Sequence, residues 1–206
     1  MDKLFKENVI FNGEIGKVIL FNDFFNPEMA DFYFKYLFEN IDWTADIAKI
    51  YGKTIITKRK ISWHGDPGLD YNYSGSSRVA SGWGDKIVLE IKNKLENNLE
   101  LVFNSCLLNL YHSGAEGMGW HSDDQNHLVP NSPVAIISFG AERFFKIRKF
   151  PEKDNIHKFP LPIGSVLLMS GQFQKHWQHE LPKMMGLKTM RISLTFRVML
   201  DKKAVI

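Results

Sequence analysis

A single cysteine among 206 residues excludes a disulfide scaffold and leaves no Cys-x-x-Cys pair for zinc or dithiol chemistry. Cys106 stands in the apolar run Leu101 to Tyr111 and reads as a small buried thiol rather than a nucleophile. No apolar run approaches the roughly 18 residues of a membrane helix, and the opening Met1 to Gly16 lacks the apolar stretch of a signal peptide. A cytoplasmic protein is expected, nuclear if the source is eukaryotic, with no membrane partner. Charge of one sign is also missing, since 26 basic against 23 acidic side chains leave +3. That surplus permits a polyanionic partner without requiring one. Repeats and low-complexity linkers are absent, so residues 1–206 are expected to form one domain. With 44% hydrophobic and 24% charged residues, the chain is an ordinary globular composition and is long enough to bury a substantial core.

Two segments carry helical periodicity. From Asn26 to Asn40, apolar residues fall at Met29, Phe32, Tyr33, Tyr36 and Leu37, with Pro27 in the first turn. From about Trp83 to Asn98, Ile87, Val88, Ile91 and Leu95 form one stripe among lysines and glutamates. Beyond it, short runs rich in β-branched and aromatic residues alternate with glycine, proline and asparagine, which predicts about eight strands in a sandwich or barrel. The expected architecture is α+β, with a jelly-roll core over about residues 101–200.

The segment Arg191-Ile-Ser-Leu-Thr-Phe-Arg197 alternates without a break. Arg191, Ser193, Thr195 and Arg197 share one strand face, and Ile192, Leu194 and Phe196 share the other. The polar face either lies in water on an edge strand or points into the barrel. In the second case two guanidinium groups need an anion, and arginine suits bidentate carboxylate recognition. In Leu107 to Tyr111, Asn109 and Tyr111 share a face opposite Leu108 and Leu110, which fits either a half-exposed strand or the same polar interior.

His121 and Asp123, two residues apart, direct an imidazole and a carboxylate to one side of an extended segment. His176 and His179 lie downstream as rivals for a third ligand. Two histidines and a carboxylate with open positions make the facial triad of non-haem Fe(II) oxygenases. A chance HxD pair is common. The order HxD, distal histidine, then RxSxTxR is not, because iron of this kind needs a chelating 2-oxo acid and a dicarboxylate needs cationic anchors.

Asn109-Leu-Tyr111, Gly119-Trp-His121-Ser-Asp123-Asp124, Ser132 to Gly140, Gly164 to Met169, His179 and Arg191 to Arg197 resemble the AlkB family of Fe(II)/2-oxoglutarate-dependent dioxygenases. The likeness runs from about Lys58 to Arg197. It implies a double-stranded β-helix (jelly-roll) core with N-terminal helices and a nucleotide-recognition lid at about residues 44–80. It also implies Fe(II) with 2-oxoglutarate and O2 as cosubstrates. By this resemblance His121, Asp123 and His179 bind iron and form the catalytic centre. Asn109, Tyr111 and Arg191 hold the distal carboxylate of 2-oxoglutarate, Arg197 lies at the keto-acid end, and Ser193 and Thr195 complete that face. Ser193 stands where the family most often has asparagine.

The implied reaction is oxidative demethylation of N-alkylated bases such as 1-methyladenine and 3-methylcytosine in DNA, releasing formaldehyde, succinate and CO2. The target base must leave the stack, so stacking aromatics and cations are expected before the core. Lys58-Arg59-Lys60 and Tyr71, Asn72, Tyr73 supply them. The family likeness assigns Arg59 to substrate phosphate or base, Tyr71 and Tyr73 to the flipped base, and Asp124 to base recognition. Tyr51-Gly52-Lys53 is similar to the aromatic finger of the duplex-DNA-directed members, which makes Tyr51 a wedge candidate. Arg143, Lys146, Arg148 and Lys149 fit either a phosphate-contacting strand or a solvated surface that serves solubility. The protein is expected to act as a monomer on single- or double-stranded DNA. The alternatives are an RNA demethylase of the same family, a catalytically silent nucleic-acid-binding module, and a zinc hydrolase using the same histidines.

Overall fold

The alternation at Arg191 to Arg197 becomes a strand with hydrogen-bonded neighbours on both sides. The structure, a computed structural model, describes residues 5–50, 53–73, 76–80, 82–123 and 126–200. Its elements in chain order are β1 (Lys6–Gly13), β2 (Gly16–Asn22), α1 (Pro27–Asn40), β3 (Thr44–Ile50), β4 (Lys53–Gly65), β5 (Asp70–Tyr73), β6 (Ser76–Val79) and α2 (Lys86–Leu99). They continue with β7 (Ser105–Tyr111), β8 (Met118–His121), β9 (Val134–Gly140), β10 (Arg143–Lys149), β11 (His157–Leu161), β12 (Val166–Ser170), α3 (Phe173–His176), β13 (Trp177–Leu181) and β14 (Arg191–Arg197). A large sheet runs β1-β2-β12-β9-β14-β7-β4-β3, a small one β11-β10-β13-β8, and β5 pairs with β6 alone. Named pairings are antiparallel throughout.

The large sheet is covered on both faces, and the pleat sorts its residues between two cores. One core joins Ile19, Phe21, Cys106, Leu108, Leu110, Ile137, Phe139, Ile192, Leu194 and Phe196 to the apolar stripes of α1 and α2. The other joins Val18, Leu20, Ile136, Leu167 and Met169 to Phe145, Ile147, Phe159, Leu161, Trp177 and Leu181 of the small sheet and its surroundings. This is the jelly-roll arrangement of two facing sheets. Since β14 lies between β9 and β7, it is no edge strand, and its polar face is enclosed.

The helices start where their caps dictate. Asn26 accepts the Met29 N–H ahead of Pro27, and Asp85 accepts the Ile87 and Val88 N–H groups, both satisfying amides that lack intrahelical partners. Tyr33 donates to Glu90 at 2.6 Å and ties the two helices together. The second helix therefore begins after Trp83, whose indole donates to Asp66.

Four strands precede α2 and join the large sheet, a contribution the strand count from sequence left out. β2 alternates between the two cores, so Val18 to Phe21 reads as an unbroken apolar run without periodicity. The run before Tyr111 becomes strand only from Ser105, because Glu100 closes α2 in a left-handed conformation. His176 ends the short α3, and the strand after it starts at Trp177. None of the described helices is long and apolar enough to cross a membrane.

Leu194 is fully buried between β14 and the helices, so Leu194→Ala should lower stability by about 2–5 kcal/mol, measured as a lower urea midpoint at unchanged slope. Burial pushes the Cys106 thiol well above its usual range. A native sample at pH 8 should give no reaction with a thiol-specific chromophore, and unfolding should release the one reactive thiol.

Candidate active site

Two strands of the small sheet bring the histidines together. β13 pairs with β8 so that His179 lies directly opposite His121, with ring centroids 4.2 Å apart. The close approach depends on Gly117 just before β8, where a Cβ would meet the Leu181 carbonyl at 2.5 Å. Asp123 follows β8 by two residues, and its N–H donates to Gln174 Oε1 at 3.0 Å. Ligand atoms of His121, Asp123 and His179 lie within 4.8 Å of one another. His176, the rival, instead faces Gln172 across a hydrogen bond of 3.2 Å and is not in the cluster.

The ring of His121 is oriented by Nδ1 donating to the Gly119 carbonyl at 2.7 Å, which leaves Nε2 for a ligand. Asp123 Oδ1 accepts from Arg197 Nη2 at 2.6 Å, while Oδ2 is buried without a partner. His179 Nδ1 is likewise buried and unpartnered, and its ring lies nearly parallel to Phe145 at 5.5 Å. Burial would raise the Asp123 carboxyl, but the Arg197 guanidinium overrides it and holds the group at about 2. Burial, with His121 alongside, lowers His179 to about 3, and burial also lowers His121. At neutral pH the cluster offers two uncharged imidazoles and one carboxylate, the protonation states metal ligation requires.

A cationic end completes the cavity. The β14–β7 register sets Arg191 opposite Tyr111 and Ser193 opposite Asn109, and all four side chains line one pocket with His121, His179 and Arg197. Arg191 donates to Ser138 Oγ at 2.9 Å, and its Nε and the Asn109 Oδ1 have no partner. Only 2% exposed, Arg191 is lowered to about 10 by burial and by the neighbouring Arg143. Gly140 permits this junction. Its φ is +79°, and a Cβ there would meet the Met190 carbonyl at 2.6 Å, beside the start of β14.

Other expected contacts fall differently. Arg59 is 7% exposed and bonds Asp46 at 2.5 Å, so its charge is compensated inside the protein while it lines the pocket. Tyr71 and Tyr73 lie on β5, opposite Arg78 and Ser76. Tyr51 and Asp124 lie outside the described residues. The basic strand is divided by its own pleat. Lys146 pairs with Glu180 at 2.9 Å, Arg148 bonds Gln178 and covers Trp120 at 4.2 Å, and Lys149 pairs with Glu152. Arg143 is only 1% exposed and points inward with Phe145 and Ile147, which corrects its expected place on a phosphate-contacting or solvated surface. Sequence reasoning missed Gln174 and Ser138 as supports of Asp123 and Arg191. For Arg143 a signal existed, since it keeps the two-residue phase of the inward apolar positions of β10.

Residues 17–197 match the model of the 2OG-Fe(II) oxygenase superfamily. The chain belongs to that superfamily. It is 35% identical over 191 residues to bovine alpha-ketoglutarate-dependent dioxygenase alkB homolog 3, covering 89% of this chain and 66% of that protein. To human DNA oxidative demethylase ALKBH2 it is 33% identical over 190 residues, covering 87% and 72%. The chain thus spans about two thirds of the length of the curated relatives it matches. Among solved structures, OsALKBH1 superposes with a TM-score of 0.63 at 15% identity, covering 93% of this chain and 100% of that one. An oxidoreductase of the 2OG-Fe(II) oxygenase family from Burkholderia pseudomallei gives 0.59 at 12%, covering 87% and 84%. These two likenesses concern the fold. Membership in the superfamily implies Fe(II), 2-oxoglutarate and O2, and of the two relatives ALKBH2 is by name a DNA oxidative demethylase.

Removing a ligand should remove the metal. His179→Ala or Asp123→Ala is expected to weaken Mn(II) binding at least about tenfold in an anaerobic calorimetric titration, with far-UV circular dichroism unchanged. Undiminished Mn(II) affinity in both variants would place the metal elsewhere.

Proposed function

We propose that the protein removes alkyl groups from nucleobases by Fe(II)- and 2-oxoglutarate-dependent oxidation, acting on 1-methyladenine and 3-methylcytosine in DNA. The observation that carries this reading is the His121, Asp123 and His179 cluster opening onto the same pocket as the buried Arg191. A metal accounts for the unpartnered Asp123 Oδ2, and a carboxylate accounts for the unpartnered Arg191 Nε. Bound by the triad, iron would supply what no side chain can, activation of dioxygen coupled to decarboxylation of a 2-oxo acid.

The chain's own residues bind and orient. Arg191 takes the distal carboxylate of 2-oxoglutarate with Tyr111 and Asn109 beside it, and Ser193 and Thr195 continue that wall. Arg197 lies toward the keto-acid end and steadies Asp123. With that chemistry supplied, one oxygen atom of O2 would enter an N-methyl C–H bond and the other would become part of succinate, with CO2 released. The N-hydroxymethyl product then loses formaldehyde as its C–N bond breaks, and the hydroxyl proton is lost to solvent. A base inside a duplex cannot reach this pocket and is flipped. The lid at residues 44–80 supplies Tyr71 and Tyr73 for stacking and Arg59 on its inner side. Asp124 reads the base edge, and Tyr51 fills the gap in a duplex. All of this belongs to one monomeric domain of residues 1–206.

The test is mass-spectrometric demethylation of matched 1-methyladenine oligonucleotides, as single-stranded DNA, duplex DNA and RNA, with Fe(II), 2-oxoglutarate and ascorbate. Turnover on DNA that His121→Ala lowers by at least about 100-fold is the expected outcome. A preference for RNA would reassign the substrate, and no turnover on any would remove the demethylase reading. Tyr51→Ala should reduce duplex repair more than single-strand repair, and equal losses would end its role as a wedge.

A further inference from the structure

We propose that Arg143 is a second cation of the cosubstrate site, a positioning residue acting through Tyr111 on the carboxylate that Arg191 takes. The inference rests on the 2-oxoglutarate reading above. Arg143 is almost completely buried. Its Nη2 donates to the carbonyls of Glu116 at 2.8 Å and Pro182 at 2.7 Å, just before β8 and just after β13, the two strands that set His121 opposite His179. Two carbonyls require a donor and not a charge. Nε and Nη1 of Arg143 remain buried and unpartnered, and among the described residues no carboxylate forms an ion pair with Arg143 or with Arg191.

Two buried guanidinium groups beside the Tyr111 end of the cavity, neither in an ion pair, repel one another and are costly to keep charged, and the Glu116 carboxylate offsets only part of this at Arg143. Both face the same ring, with Cζ of Arg143 at 5.9 Å and Cζ of Arg191 at 5.6 Å from the Tyr111 centroid. Tyr111 lines the pocket and Arg143 does not. An incoming dicarboxylate therefore neutralises one cation by contact and a second across the tyrosine ring. This selects 2-oxo acids that carry a distal carboxylate.

Calorimetric titration of the Mn(II)-loaded protein separates the distal carboxylate from the metal-chelating end, because oxalate chelates the metal and has no distal carboxylate. Arg143→Gln should weaken 2-oxoglutarate by about tenfold and leave oxalate unchanged, while Arg143→Lys keeps the charge and stays near wild type for both. Equal losses for oxalate and 2-oxoglutarate, in either variant, would make Arg143 a clamp of the strands alone. Unchanged 2-oxoglutarate binding in Arg143→Gln would also overturn the proposal. If the glutamine variant does not fold, Arg143→Met takes its place as the uncharged variant, with the same selective loss of 2-oxoglutarate binding expected and the same outcomes overturning the proposal. Wild-type protein that binds oxalate but not 2-oxoglutarate would fault the cosubstrate reading and not the residue.

Discussion

Burying positive charge between two sheets is the constraint on which the rest of this structure turns. β14 has neighbours on both sides and covered faces above and below, so Arg191 is buried and Arg197, at the strand's end, is only partly exposed. Each guanidinium must find an anion or pay its desolvation. Arg197 finds Asp123, and Arg59, across the pocket, finds Asp46. Arg191 has a serine hydroxyl, and Arg143 has two backbone carbonyls. The cavity is thus compensated at the Asp123 end and cationic at the Tyr111 end, a polarity that suits a ligand with a carboxylate at its far end.

The double covering of the large sheet makes this burial possible. α1 and α2 seal one face with aliphatic and aromatic packing, so the opposite face is free to be polar where the small sheet folds over it. The same small sheet supplies both histidines from adjacent strands. The site is therefore built across the sandwich, with both histidines on one sheet, Asp123 just beyond it, and their electrostatic support from the other. Such placement on paired strands holds geometry more tightly than loops would.

Legibility in the sequence followed periodicity. Arg191 to Arg197 declared its two faces because one is wholly apolar, and Asn109 and Tyr111 kept the same phase as the polar face they meet across the ladder. His121 and Asp123 were visible by spacing, although choosing His179 over His176 needed the family resemblance. β2 was invisible for the opposite reason, since a strand buried on both faces has no alternation to detect. Arg143 was misjudged because a run with four basic residues looks like solvated surface, whereas the pleat sends Arg143 and Lys146 to opposite sides. The Asp46 to Arg59 pair joins residues on different strands and leaves no local trace.

By itself the sequence determined which residues can share a face, where the helices start, and which side chains have the chemistry to bind a metal and an acid. These are local properties, dictated by backbone period, capping and functional groups. Only the tertiary structure decided which polar face is enclosed, which histidine meets His121, and which cations acquire a counter-charge inside the protein. Those outcomes depend on strand order and on what covers each sheet, and burial sets the cost of every unpaired charge.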